Sequence, residues 1–219
     1  MASPTMHALL SASSSHRWLT CPPIARLEAE FPNPSSTFAE EGTAAHSLAE
    51  LKLQYEAKLI SKAVYTKRHK KFAESSDYYC EEMDEHTDNY VTQVLEIYNK
   101  YESATILLEQ KVSFTEWVPE GFGTSDVVIA SDKHLEICDL KYGKGVPVDA
   151  HHNPQLMLYA LGTYAELADL YEFETVTMNI LQPRLDNYSS YTISVEELLY
   201  WADNFVRPRA LQAFAGEGE

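Results

Sequence analysis

The spacing of apolar positions changes twice along the chain. From Phe38 to Ile60, the residues Leu48, Leu51, Leu53, Tyr55 and Leu59 are set among Ala, Glu and Lys, which predicts a helix. Ser35, Ser36 or Thr37 is placed to cap it, and Glu40 and Glu41 favour its first turn. A second helix is expected over Ser76–Glu102, where Tyr90, Val94, Ile97 and Tyr101 return on one face. The period then shortens. ATILLEQKVSF (104–114), GTSDVVIA (123–130) and LEICDLK (135–141) read as three sequential strands with short breakers between them, hence a meander. Pro154–Tyr171 returns to a helical pattern, with Asn153 as cap and Pro154 in the first turn. TVTMNIL (175–181) is a strand and Tyr188–Ile193 a further candidate strand. Ser194–Phe214 closes as a helix that begins with the capping pattern SVEE. Ahead of all these, residues 1–36 are rich in Ser and Pro and end in the loop PNPSS, with one short helix expected around Arg17–Phe31. The expected order is α, α, βββ, α, β(β), α.

Composition bounds the class. At roughly 100–200 residues per domain, 219 residues predict one domain spanning 1–219. Hydrophobic residues make up 45% and charged residues 23%, enough to bury a core and to exclude wholesale disorder. No uncharged apolar run approaches the ~20 residues of a membrane span, and MASPTMHALLSASSSHRW has no basic segment of a secretory signal. Cys21, Cys80 and Cys138 lie far apart with no CxxC, so neither a disulfide framework nor a zinc-site spacing is present. A reducing cytoplasm is the expected location.

The net charge of −16 argues against a protein that coats nucleic acid through its overall charge. It leaves room for a nucleic-acid enzyme, because carboxylates that hold divalent cations are neutralised in the working site. The bases are unevenly spread: Lys58, Lys62, Lys67, Arg68, Lys70 and Lys71 are six of the seventeen, within fourteen residues. This stretch reads as a solvated face, with a phosphate-tracking surface as the alternative.

The chemistry concentrates in Gly121–Tyr159. Within LEICDLK, alternation puts Leu135, Ile137, Asp139 and Lys141 on one face: two core residues, then an acid and a base at the rim of a cleft. Asp126, in GFGTSD, lies thirteen residues earlier on the neighbouring strand of a meander. Two carboxylates at close range repel unless a proton or a cation lies between them, and a hard divalent cation with oxygen ligands suits them. A lysine beside them can orient water or stabilise developing negative charge. His46 and Glu50 share a helix face at i, i+4, as do Gln155 and Tyr159. Glu50 reads as a surface or supporting residue, and Glu109 as either a supporting acid or an exposed strand residue. His151 and His152 read as a solvent-exposed loop pair and Cys138 as core. Cys21 reads either as a buried small apolar residue or as the remnant of a cluster ligand.

EGTAAH (41–46), LLEQKVSF (107–114), GFGTSD (121–126), ICDLKYGKG (137–145) and NPQLMLYA (153–160) carry a GxxxH-like motif, a GxxD, a DxK and a QxxxY in that order. In this the chain resembles the PD-(D/E)XK nuclease superfamily, and within it the RecB-type exonuclease domains. It is also similar to a family of uncharacterised phage and prophage proteins that share the later stretch ILQPRLDNYS (180–189).

The resemblance implies an α/β, restriction-endonuclease-like αβββαβ core over 37–181 with a mixed sheet flanked by helices. Residues 1–36 would be an N-terminal addition, and 182–219 a C-terminal strand and helix. It implies metal ligation by His46, Asp126, Asp139 and the Leu140 backbone carbonyl, with Mg2+ or Mn2+ as cofactor. Asp126, Asp139, Lys141, Gln155 and Tyr159 would form the catalytic set, with Glu109 and Glu50 as accessory acids. The implied activity is a metal-dependent DNA nuclease, an exonuclease first, hydrolysing phosphodiester bonds in phage or prophage DNA processing or recombination. The implied partners are DNA and phage or host recombination proteins, with no membrane. The alternative is a catalytically inactive DNA-binding or protein-interaction module on the same fold. RecB-type relatives often bind a 4Fe–4S cluster through one N-terminal and three C-terminal cysteines. Cys21 matches the first, but no C-terminal triplet is present, so no cluster is expected in this chain.

Overall fold

The computed structural model describes residues 8–31 and 36–218. The beginning of the N-terminal segment and the PNPSS loop up to Ser35 lie outside the described residues. The protein is a mixed α/β structure in which helices flank a five-stranded mixed sheet. No described helix is long and apolar enough to cross a membrane.

The first helical layer is formed by three helices with distinct starts. Helix α3 (Thr37–Glu56) is capped by Ser36, whose hydroxyl accepts from the Ala39 N–H. Helix α4 (Lys62–Ser75) is capped in the same way by Ser61. Helix α5 (Glu81–Tyr98) opens with Glu81, Glu82 and Asp84, acids that its N-terminal dipole favours. Helix α4 is a correction. The basic stretch was expected to join two helices, yet it forms its own helix and buries none of its residues. Its mostly charged exterior hides the periodicity on which the reading depended.

The N-terminal segment also differs. The single helix expected over Arg17–Phe31 is two short ones, α1 (Ser15–Thr20) and α2 (Ile24–Ala29). Pro22 and Pro23 interrupt them, since proline offers no N–H to the preceding turn.

Strands β1 (Thr105–Ser113), β2 (Phe122–Ala130) and β3 (His134–Leu140) form the expected antiparallel meander. The chain then crosses over through α6 (Pro154–Leu167), where the Asn153 side chain accepts from the N–H groups of Gln155 and Leu156. It returns as β4 (Thr175–Gln182), parallel to β3, and β5 (Asn187–Ser194) closes the edge antiparallel to β4. Helix α7 (Val195–Trp201) leads through one π-turn (Ala202–Val206) into α8 (Arg207–Ala215). One continuous helix was expected here. Pro208 has no N–H for a carbonyl four residues earlier, and the wider π-turn absorbs that break.

The sheet has two buried faces. Val128, Ala130, Leu135 and Ile137 pack with Leu156, Leu158 and Leu161 of α6. Val127, Ile129, Cys138 and Leu140 pack with Ala49 and Leu53 of α3 and with Tyr90, Val91 and Val94 of α5. Helices therefore approach the same strand ends from opposite sides.

Helix α6 lies close enough to β1 that a Cβ on Gly162 would stand 2.9 Å from Val112 Cβ and 3.1 Å from the Ser113 carbonyl oxygen. Gly162→Ala is predicted to cost about 1–3 kcal/mol through overpacking. Gly42→Ala, in α3 with open space around the new methyl group, should instead stabilise by about 0.5–1 kcal/mol. Urea unfolding of both variants checks this, and an unchanged midpoint for Gly162→Ala would contradict the packing argument.

Candidate metal centre

The site is built where the sheet comes apart. Pairing between β2 and β3 ends at Val127 with Cys138, while β1 and β2 stay paired as far as Ser113 with Phe122. Beyond Cys138, β3 is held only by β4, through Leu140 with Leu181. The fork leaves the Leu140 N–H without a strand partner on the β2 side. The Asp126 carboxylate fills the gap: its Oδ2 accepts from Leu140 N at 2.8 Å. Its other oxygen, Oδ1, lies 3.2 Å from Nδ1 of His46 on α3. Asp126 thus joins a strand to a helix on the far side of the sheet.

Glu109 reaches the same point through an irregularity in β1. Leu107 and Val112 pack with the α6 core, whereas Ile106 and Leu108 pack with the α3–α5 core. Strict alternation cannot place positions 107 and 112 on one face. The reversal falls at Glu109, which has φ 47° and sits between the pairs Leu108–Val127 and Gln110–Ser125 without a pair of its own. A non-glycine residue in the left-handed region costs about 1–3 kcal/mol and persists only where the surroundings impose it. The residue opposite Glu109 is Asp126, and like charges directly opposite destabilise a sheet.

His46, Glu109 and Asp126 each offer a ligand atom, and these atoms lie within 4.8 Å of one another. Two oxygen or nitrogen ligands of one ion at about 2.1 Å stand at most about 4.2 Å apart, so a bound ion would draw this group slightly inward. The three residues line a cavity of about 10 Å3 together with Ala49, Glu50, Leu53, Tyr90 and Leu140. That is space for a single ion or water. The buried Tyr90 hydroxyl has no hydrogen-bond partner among the described residues, so an ion-bound water would satisfy it. The donor set is oxygen-rich with one imidazole. It fits Mg2+ and, because of the imidazole, fits Mn2+ better.

The second half of the site lies beside it. Asp139 is buried, and its Oδ1 accepts from Gln155 Nε2 at 3.1 Å. The Lys141 ammonium stands 2.9 Å from Asp139 Oδ2 and donates to Gln155 Oε1, also at 2.9 Å. The contact to Oδ2 is an ion pair off the hydrogen-bond axis, so that oxygen keeps an open acceptor position. Gln155 Nε2 also donates to the Tyr159 hydroxyl at 3.2 Å. One amide therefore orients Asp139, Lys141 and Tyr159 together, and Asn153 sets the start of the helix that carries it.

The convergent acid nearest His46 and Asp126 is Glu109, while Asp139 is engaged by Lys141 and Gln155. Leu140 meets Asp126 through its N–H; in an extended strand the carbonyl of the same residue faces the same side, so it too is directed at the fork. Glu50 lines the cavity and accepts from Gln54 at 2.7 Å. Cys21 is exposed at the end of α1, not buried; Cys80 is exposed and Cys138 lies in the sheet core. His151 and His152 are exposed and pack against Tyr191. Tyr90 was read only as an apolar helix-face residue, and no sequence signal marks its hydroxyl as part of a polar cavity.

The electrostatics follow from burial and crowding. Burial pulls the His46 imidazole down, but Asp126, with Asp139 and Glu109 behind it, outweighs burial and lifts its pKa to about 9. Burial, then Asp126 and Glu50, lifts Glu109 to about 7. Burial also raises Asp139, against the pull of Lys141. Without a cation, the excess negative charge is relieved by protons.

The family described as "Protein of unknown function (DUF2800)" matches residues 7–219. The chain belongs to that family. A solved structure described as "Crystal structure of SSO0001" is similar at 14% identity and a TM-score of 0.31, over 94% of this chain and 87% of that one. That likeness is too distant to bear on the site of this DUF2800 protein.

A cation would compete with protons for this candidate centre of the DUF2800 protein, since imidazole and carboxylate bind metal only when deprotonated. Mn2+ affinity is therefore predicted to rise from pH 6 to pH 9, as Glu109 near 7 and then His46 near 9 give up their protons. Calorimetric titration at several pH values checks it, and a flat profile would contradict it. At fixed pH, Asp126→Asn and Glu109→Gln should each weaken Mn2+ binding by at least about tenfold.

Proposed function

We propose that this DUF2800 protein is a metal-dependent deoxyribonuclease built on a restriction-endonuclease-like αβββαβ core, acting first as an exonuclease. The observation that carries the reading is the pairing of two groups at one strand fork. The ligand atoms of His46, Glu109 and Asp126 lie within 4.8 Å of one another, and the Asp139–Lys141 pair stands beside them, oriented by Gln155. The order α5, β1–β2–β3, α6 and β4 parallel to β3 supports the same core.

A bound divalent cation would supply charge neutralisation at the scissile phosphate and a water of lowered pKa. His46, Glu109 and Asp126 would hold it. The Lys141 ammonium is fixed by its hydrogen bond to Gln155 and its ion pair with Asp139, so it is positioned to orient the attacking water and to stabilise charge developing on the phosphate oxygens. Asp139 holds that lysine in place through their ion pair. Gln155 keeps both in register and lends its second N–H to Tyr159, whose ring limits the cleft against Gly123. The water oxygen would bond to phosphorus as the P–O bond to the leaving sugar oxygen breaks.

The test is degradation of linear and circular DNA, single- and double-stranded, with Mg2+, Mn2+ or EDTA. Loss of linear DNA only with metal is expected, reduced at least about 100-fold by Asp139→Ala and by Lys141→Ala in folded protein. Absence of cleavage of every substrate in either metal would overturn the nuclease reading. Binding of DNA in Ca2+ without cleavage would then favour a binding module.

A further inference from the structure

We propose that the groove between α3 and α4 guides a single nucleic-acid strand to the metal centre, with α4 gripping its phosphates. The inference rests on the nuclease reading for the identity of the strand, and on separate observations for the surface. Helix α4 buries none of its residues fully: it rests on α3 and α5 through Tyr65 and Phe72 and leaves the rest of its surface to solvent. It carries Lys62, Lys67, Arg68, Lys70 and Lys71, all exposed, in a protein of net charge −16. Five of the seventeen bases on one short helix form a local positive surface against a negative background.

The position of that surface gives it a destination. A groove of about 320 Å3 runs between the two helices, lined by Ser47, Glu50, Gln54, Arg68, Lys71 and Phe72 among others. Glu50 also lines the cavity of His46, Glu109 and Asp126. The groove and the metal cavity therefore share a wall, and Ser47 is the residue next to His46 on α3. Arg68 already reaches across the groove, donating to Gln54 Oε1 at 3.2 Å. Arg68 and Lys71 supply cations for a backbone, and the half-buried Phe72 ring supplies an apolar surface for a base. This is the combination by which single strands are held without sequence preference.

The experiment measures binding of a fluorescent single-stranded oligonucleotide in Ca2+, where no turnover is needed, over a range of salt. Arg68→Gln/Lys71→Gln is expected to weaken binding about tenfold and to lower the salt slope by about 1.4, two phosphate contacts at about 0.7 each. Lys100→Gln/Lys133→Gln removes the same charge at the opposite end of the sheet, near a separate cavity that also contains His134 and Tyr171, and should leave binding within about twofold. Hydrolysis of a small chromogenic phosphodiester, which needs no groove, reports separately on the chemistry and should be the same in Lys100→Gln/Lys133→Gln and the natural chain. Equal weakening by the two double variants, no effect of the α4 pair, or no strand binding by the natural chain would overturn the guide. Strand binding that depends on α4 with no hydrolysis of either substrate would support the guide while overturning the nuclease reading.

Discussion

The early end of pairing between β2 and β3 is the constraint on which the site depends. A backbone N–H left inside a protein must find an acceptor, and at this fork the acceptor for Leu140 is the Asp126 carboxylate. The same carboxylate faces His46. One side chain thus satisfies the sheet and organises the polar centre. Because the strands part there, groups from both sheet faces meet: His46 comes from α3, while Gln155 and Tyr159 come from α6. An unbroken sheet would keep those two helices separated by its full thickness.

The second constraint is electrostatic. Glu109, Asp126, Glu50 and Asp139 crowd around a cavity large enough for one ion, and β1 adopts a left-handed residue to bring Glu109 there. Burial and the neighbouring acids raise the proton affinity of Glu109, and Asp126, Asp139 and Glu109 together raise that of His46. Such a group is costly in the absence of positive charge and becomes favourable when a cation enters. Lys141 neutralises only the Asp139 side of the cluster. The concentration of bases on α4 is the counterpart on the surface: net charge alone would repel a polyanion, and a local basic helix beside the acidic centre reverses the field where a strand would approach.

Several features were legible in the residues. The meander, the crossover helix and the returning strand follow from the switch between helical and alternating apolar spacing. Asp139 and Lys141 share a face because side chains alternate along β3, and Gln155 and Tyr159 share one because they are a helical turn apart. Asn153 followed by Pro154 marked the start of α6 closely. The basic helix α4 was not legible as a helix, since it has no apolar stripe with which to declare its period. The break before α8 was missed for a different reason: the surrounding pattern is helical, and only the path of the chain shows how the proline is accommodated.

Sequence by itself determined the order of the strands, the helices α3, α5 and α6 around them and the identity of the chemical groups, because these depend on local propensity and on spacing within one element. It left open which acids converge. Alternation assigns Glu109 to the face of Leu107, and only the left-handed residue in the folded sheet accompanies its placement with His46 on the α3 side. The fork between β2 and β3, the unpartnered Tyr90 hydroxyl and the wall shared by groove and cavity are relations between residues distant along the chain. They arise when strands and helices pack, and the tertiary structure alone decides them.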